Sequence, residues 1–209
     1  QARLVGSEMC IRDRTKFDMV NMMDIAWVGG GLVKGQKIIN KMIKLVGDRK
    51  IEELPIPFTA VATELESGRE VWLSEGPLFD AIRSSCSLPL FFTPTKYKER
   101  MLVDGGVVNP VPIAPVFHDN TDLTIAVNLG GRTRNDQPVE RKKDVGAYEV
   151  AYFVFDAMQS TIARQKLAAY PPDLVISIPR NVARTFDIDR AAEIIEIGRE
   201  AAEEALDNL

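Results

Sequence analysis

The stretch Asp104-Gly105-Gly106-Val107-Val108-Asn109-Pro110-Val111-Pro112 carries the most chemical content in this sequence. A short apolar run, Met101-Leu102-Val103, leads into an aspartate, and two glycines follow it. Two structures fit that pattern equally well. Asp-Gly is a strong turn dipeptide, so the pair could close a hairpin. Lys98-Glu99-Arg100 would then leave only Met101-Leu102-Val103 as strand between two tight turns. Alternatively the aspartate ends a parallel strand and faces the crevice where α/β proteins do their chemistry. The glycines would then supply positive φ and a close backbone approach to a ligand. Pro110 and Pro112 would stop the next segment from closing over the site as helix.

Other candidates carry less. Gly30-Gly31-Leu32-Val33-Lys34-Gly35-Gln36-Lys37-Ile38 spaces its glycines like a phosphate-binding loop. Gln36 stands where such a loop needs lysine, however, and Ile38 follows Lys37, so no hydroxyl is available for magnesium. A glycine-rich turn before a helix is the simpler reading. His118 is the only histidine, so a Ser-His-Asp triad would have to use it. It sits in His118-Asp119-Asn120-Thr121-Asp122, whose composition is that of an exposed loop. One histidine with Cys10 and Cys86 far apart gives no zinc spacing, so neither metal nor cofactor is expected. Cys86, within Ser84-Ser85-Cys86-Ser87-Leu88-Pro89, reads as a buried structural cysteine.

Holding an aspartate in a crevice requires a core, and 209 residues with 45% hydrophobic and 27% charged content can build one domain. Lys+Arg 26 against Asp+Glu 30 leaves a net charge of −4, which offers no broad surface for nucleic acid. Two cysteines exclude a disulfide framework and suit a reducing compartment. No apolar run approaches the roughly 18 residues needed to span a bilayer, and no secretory signal is visible. A cytoplasmic location is the expectation.

The periodicity predicts helices over 32–45, 78–85, 145–169 and 187–209, the last strongly amphipathic. Strands are predicted over 58–65, 70–73, 123–129 and 174–178, with a hairpin over 97–103 folded about Lys98-Glu99-Arg100. Residues 123–129 form a nearly unbroken apolar run, as in a strand buried on both faces. Strands alternating with helices predict an α/β sandwich with a largely parallel sheet holding 58–65, 101–103, 123–129 and 174–178 together. Residues 1–14 behave differently. Glu8-Met9-Cys10-Ile11-Arg12-Asp13-Arg14 resembles the translation of a sequencing-library adapter fused to a truncated gene. That segment is expected to be non-native or disordered and to pack on nothing, leaving 15–209 as the domain.

The stretch from Asp104 to Pro112 resembles the aspartate motif of patatin-like phospholipases, acyl hydrolases that use a Ser-Asp dyad. Further stretches match that family in the same order. They are Gly30-Gly31-Leu32-Val33-Lys34-Gly35, Pro57-Phe58-Thr59-Ala60-Val61-Ala62-Thr63 with Ser67-Gly68, and Glu75-Gly76-Pro77-Leu78-Phe79-Asp80 through Ser85 with Leu88-Pro89. Tyr170-Pro171-Pro172-Asp173 and Ala191-Ala192-Glu193-Ile194-Ile195-Glu196-Ile197-Gly198 complete the set. The resemblance implies a three-layer α/β sandwich with a mostly parallel central sheet, N-terminally truncated. It implies a lipid acyl hydrolase acting on phospholipid or lysophospholipid esters, with peripheral membrane contact. It also implies that Asp104 accepts the proton of a nucleophilic serine and that Gly105 and Gly106 shape the turn that aims it.

The family carries that serine upstream, in Gly-x-Ser-x-Gly. None of Ser7, Ser67, Ser74, Ser84, Ser85, Ser87, Ser160 and Ser177 has glycine both two residues before and two after. This chain is therefore expected to hold the Asp half alone, to be inactive by itself, and to expose apolar surface that a missing half would cover. The other reading is a non-catalytic α/β binding or interaction protein of the same fold.

Overall fold

Alternating side chains and short turns decide the first sheet. A computed structural model of the chain describes residues 33–133, 146–183 and 187–209. Strand β1 (Ala60–Glu64) turns back through residues 65–69 into β2 (Glu70–Leu73). Gly68 makes that reversal with φ +65°, a left-handed conformation that side chains disfavour, and its N–H donates to Glu64 O at 2.9 Å. Strand β3 (Thr95–Tyr97) reverses just as tightly at Lys98 and Glu99 into β4 (Arg100–Asp104), as the sequence predicts. The sheet order is β2-β1-β4-β3 and every pairing is antiparallel. Ala62 stands opposite Asp104 and Thr63 opposite Val103.

Helix α1 (Gln36–Val46) starts from Gly35, whose φ is +72°, and α2 (Leu78–Ser85) follows the turn at Gly76. Helix α2 lays Leu78 and Ala81 on the sheet, against Ala60, Ala62, Leu73 and the fully buried Leu102, with Ile51 at the side. This is the larger of two apolar clusters.

The second cluster belongs to a separate sheet. Strand β5 (Ile125–Gly131) pairs in parallel with β6 (Leu174–Pro179), and the connection between them holds helix α3 (Ala147–Ala169). Such a crossover is what parallel pairing requires. Ala126 of β5, Ala163 and Leu167 of α3, and Val111 and Ile113 meet there. Helix α4 (Ala191–Asp207) packs on β6.

Two expectations are corrected. The central four-stranded sheet is antiparallel, not mostly parallel, and the four predicted strands divide between two sheets instead of sharing one. The physical reason is loop length. The reversals at 65–69 and at Lys98-Glu99 are far too short to carry a chain back for parallel pairing. Nor is β5 buried on both faces: Ala126 and Asn128 are buried, while Ile125, Val127 and Leu129 are exposed. The mixed α/β class stands. The 1–14 segment lies outside the described residues.

Candidate active site

Asp104 ends β4, and its backbone is held from two sides. Its N–H donates to Ser87 O at 3.0 Å, and its carbonyl accepts from Thr63 Oγ1 at 2.9 Å. Beyond it the chain tightens into a 3₁₀ turn, Gly105–Val107, which the Asp104 carboxylate caps by accepting the Gly106 N–H at 2.6 Å. The hairpin-turn alternative therefore falls: Asp104 finishes a strand and opens a short helical turn. The strand it finishes is antiparallel, not parallel.

At both glycines space matters and dihedral freedom does not. Neither has a positive φ. A Cβ on Gly105 would stand 2.3 Å from the Val61 carbonyl oxygen, in the backbone of β1. One on Gly106 would stand 2.7 Å from Gln159 Nε2 on α3 and 2.9 Å from Asp104 Oδ1. The turn thus fits against β1 only with no side chain at Gly105, while at Gly106 a side chain would displace the Gln159 amide and crowd the Asp104 carboxylate.

Asp104 is half-buried at a groove of roughly 820 Å³ lying between the first sheet and the β5/α3 unit. Val127 and Leu129 of β5, with Phe58, give this groove an apolar side. Asp156 of α3 and Arg180 also line it and form an ion pair at 3.7 Å. Burial pushes the Asp104 carboxyl above its ordinary value, partly offset by the Gly106 N–H that stabilises the charged form. A carboxylate raised in this way is a stronger base than a solvated one.

Cys86, expected to be buried, is exposed, and it lines the same groove. Desolvation first, and then the negative charge of Asp104, push its thiol up, while Arg83 acts in the opposite direction. The thiol form is thereby favoured and the nucleophilic thiolate is not. Ser85 lines the groove but donates its hydroxyl to Val61 O at 2.8 Å, and buried Ser160 lines it from α3. His118 is exposed in its loop, as its surroundings suggest. Gly30 and Gly31 lie outside the described residues. Among the described residues no group of three His, Cys, Asp or Glu side chains could hold a metal ion, and no helix is long and apolar enough to cross a membrane.

Arg83 was not legible as a structural centre from the sequence. It is buried, donates from Nε to Lys34 O at 2.8 Å and from Nη2 to Lys34 O and Thr93 O, and bonds Ser87 Oγ through Nη1. Its guanidinium also lies over the Phe92 ring, 5.6 Å from the centroid. The clamp fixes the segment after α2, which in turn accepts the Asp104 N–H at Ser87 O. The available signal was Arg83 standing four residues after buried Phe79, on the inward face of α2.

The sequence profile of the Patatin-like phospholipase family matches residues 5–117, a span that contains Asp104, Gly105 and Gly106. An uncharacterized NTE family protein of Mycobacterium tuberculosis is 30% identical over 268 aligned positions, covering 92% of this chain and 74% of the relative. The uncharacterized protein YqhO of Bacillus subtilis is 26% identical over 226 positions, covering 95% of this chain and 76% of the relative. Patatin-like phospholipase domain-containing protein 7 of Mus musculus is 24% identical over 120 positions, covering 56% of this chain and 9% of that protein.

Proposed function

The chain belongs to the patatin-like phospholipase family, and we propose that Asp104 is the proton acceptor of a serine–aspartate acyl hydrolase acting on phospholipid or lysophospholipid esters. The observation that carries this reading is the placement of Asp104. It is a half-buried carboxylate at the end of a strand, pushed above its ordinary value and opening on a groove with an apolar side. Family membership supports lipid hydrolysis in general. The dyad, the ester class and the assignment of Asp104 with Gly105 and Gly106 are this proposal's own content.

In the proposed reaction, serine Oγ attacks the ester carbonyl carbon while the Asp104 carboxylate takes the hydroxyl proton. Backbone N–H groups hold the tetrahedral oxyanion. Asp104 gives that proton to the leaving alcohol as the ester C–O bond breaks. A water then attacks the acyl carbon and gives a proton to Asp104, and the acyl–Oγ bond breaks to release the carboxylic acid as serine Oγ takes the proton back. Val127, Leu129 and Phe58 suit an acyl chain along the groove. The enzyme would work from the cytoplasm, touching lipid peripherally.

The serine itself is not one of those identified here. Among the described residues none donates to the Asp104 carboxylate, whose bond is to the Gly106 N–H. The alignment with the M. tuberculosis relative runs to 268 positions, more than the 209 residues present, so that relative has stretches with no counterpart here. These are where we place the Gly-x-Ser-x-Gly elbow. The same lack of an elbow serine is what favours the second reading, a non-catalytic binding protein of this family. Ester hydrolysis by the purified 209-residue chain tests the assignment, with Asp104→Asn as control. No turnover above the blank is expected from either. Turnover that survives Asp104→Asn would eliminate the dyad.

A further inference from the structure

Glu70, Asn109 and Lys166 stand on β2, the loop after β4, and α3, and join in a chain of polar contacts that the reaction above does not use. Asn109 is 3% exposed, and its Nδ2 donates to Glu70 Oε1 at 2.7 Å. Because the carboxylate accepts, that bond fixes which way the amide faces. Glu70 Oε1 also accepts Trp72 Nε1 at 3.4 Å, and Oε2 lies 3.9 Å from Lys166 Nζ. The Asn109 backbone N–H meanwhile donates to Gly105 O at 2.9 Å, closing the turn that begins just after Asp104.

Fixing the amide in this way leaves Asn109 Oδ1 buried with no hydrogen-bond partner. An apolar side chain would fill the position without that cost, so filling space does not account for an asparagine. What the amide adds is a directional tie from the turn to β2. Helix α3 meets the turn at one place and its β2 partner at another. Gln159 Nε2 stands 2.7 Å from where a Cβ on Gly106 would lie, and Lys166, two helical turns later and on the same face, reaches Glu70.

We propose that Asn109 is a positioning residue for Asp104: through Glu70 it holds the 105–109 turn against β2 and α3, and so keeps the Gly106 N–H on the Asp104 carboxylate. The inference deepens the proposed function and takes its catalytic meaning from it, while the tie itself stands on geometry alone.

The test is a carbon-13 NMR titration of the Asp104 carboxyl in the intact chain, with the resonance assigned by its loss in Asp104→Asn. The other titratable or charged groups at this groove are Cys86, with Arg83 behind it, Tyr152 and the Asp156–Arg180 pair, and all are kept in every variant. Asn109→Leu and Glu70→Ala are expected to raise the Asp104 midpoint by roughly half to one pH unit, because the N–H that lowers it is no longer held in place. Glu70→Gln keeps an acceptor oxygen for Asn109 and should restore the parent midpoint. Leu73→Ala, in the buried core of the same strand, should lower thermal stability without moving it. An unchanged midpoint in Glu70→Ala, or an equal shift in Leu73→Ala, overturns the proposal. If Asn109→Leu does not fold, Glu70→Ala carries the test, since that side chain is 24% exposed. Ester turnover does not enter the measurement, so its failure and the failure of the proposed function remain distinguishable.

Discussion

Gly105 lies against the backbone of β1, and Gly106 against the Gln159 amide of α3 and the Asp104 carboxylate. Asp-Gly-Gly reads as backbone freedom, yet neither glycine uses a positive φ; what both provide is close approach. Gly105→Ala would drive a Cβ to within 2.3 Å of the Val61 carbonyl oxygen, a clash with backbone that no rotamer relieves. We expect a loss of about 1–3 kcal/mol or more in denaturant unfolding, of the size seen for overpacking, with the groove distorted as well. Ionised Asp104 is expected to destabilise the fold at neutral pH. Its folded-state carboxyl is raised above 3.8, so its favourable contribution is complete below 3.8 and is lost as pH rises through the folded-state value. Asp104→Asn keeps an oxygen for the Gly106 N–H and removes the desolvated charge. Thermal melts should therefore show the variant more stable than the parent at pH 7 and the difference closing towards pH 3. An aspartate kept at a cost to stability is the signature expected of a working group. Its position at a strand end was legible in Met101-Leu102-Val103 before it. The raised carboxyl was not, because it depends on what β1, α2 and α3 place around it. The exposure of Cys86 was not legible either, because it depends on how the segment after α2 meets the groove.

Among the elements, reading and structure agree where local signals suffice. Helix α2 was found to the residue, between the Pro77 that precedes it and the Cys86 that ends it. Strands β1 and β2 follow from the 58–65 and 70–73 readings with their turn at Ser67-Gly68, and β3 and β4 from the hairpin folded about Lys98-Glu99-Arg100. How they assemble did not follow. Short turns imply antiparallel neighbours, and weighting them above the alternation of strands and helices would have given the right first sheet. Strand β5 shows a second limit: an apolar run does not reveal whether both faces find partners. Two substitutions measure the difference between these strands. Leu102→Ala, at a fully buried site in β4, should cost roughly 2–5 kcal/mol. That corresponds to a fall of about 2–4 °C in Tm for each kcal/mol in a chain of this size. Val127→Thr, on the exposed face of β5, should change stability by no more than about 0.5 kcal/mol. Equal losses at the two sites would show that β5 is buried in solution.

Over the described residues taken together, apolar surface is distributed unevenly. Ile125, Val127 and Leu129 are 46%, 53% and 70% exposed on one face of β5, and Val150, Phe153 and Val154 on α3 are 48%, 58% and 53% exposed. Scattered apolar residues on a surface need no explanation, but runs on a strand and on a helix make a surface suited to a covering segment or partner. The chain should bind a hydrophobic dye or self-associate in sedimentation, and Phe153→Glu with Val154→Lys should reduce either effect. A dye-silent monomer would argue against that surface taking a partner. Such a cover is what a nucleophile-bearing half would supply, and this connects the surface to the central claim that Asp104 is the base of a serine–aspartate pair. The most direct measurement is kcat for ester hydrolysis by a version carrying a Gly-x-Ser-x-Gly elbow ahead of the Asp104 motif, compared with its Asp104→Asn variant. General-base catalysis of this kind is worth roughly 10²–10⁴-fold, and the account predicts a fall of that size in kcat with the variant still folded. A variant that keeps kcat within about tenfold of its parent, below that range, would contradict the assignment of Asp104.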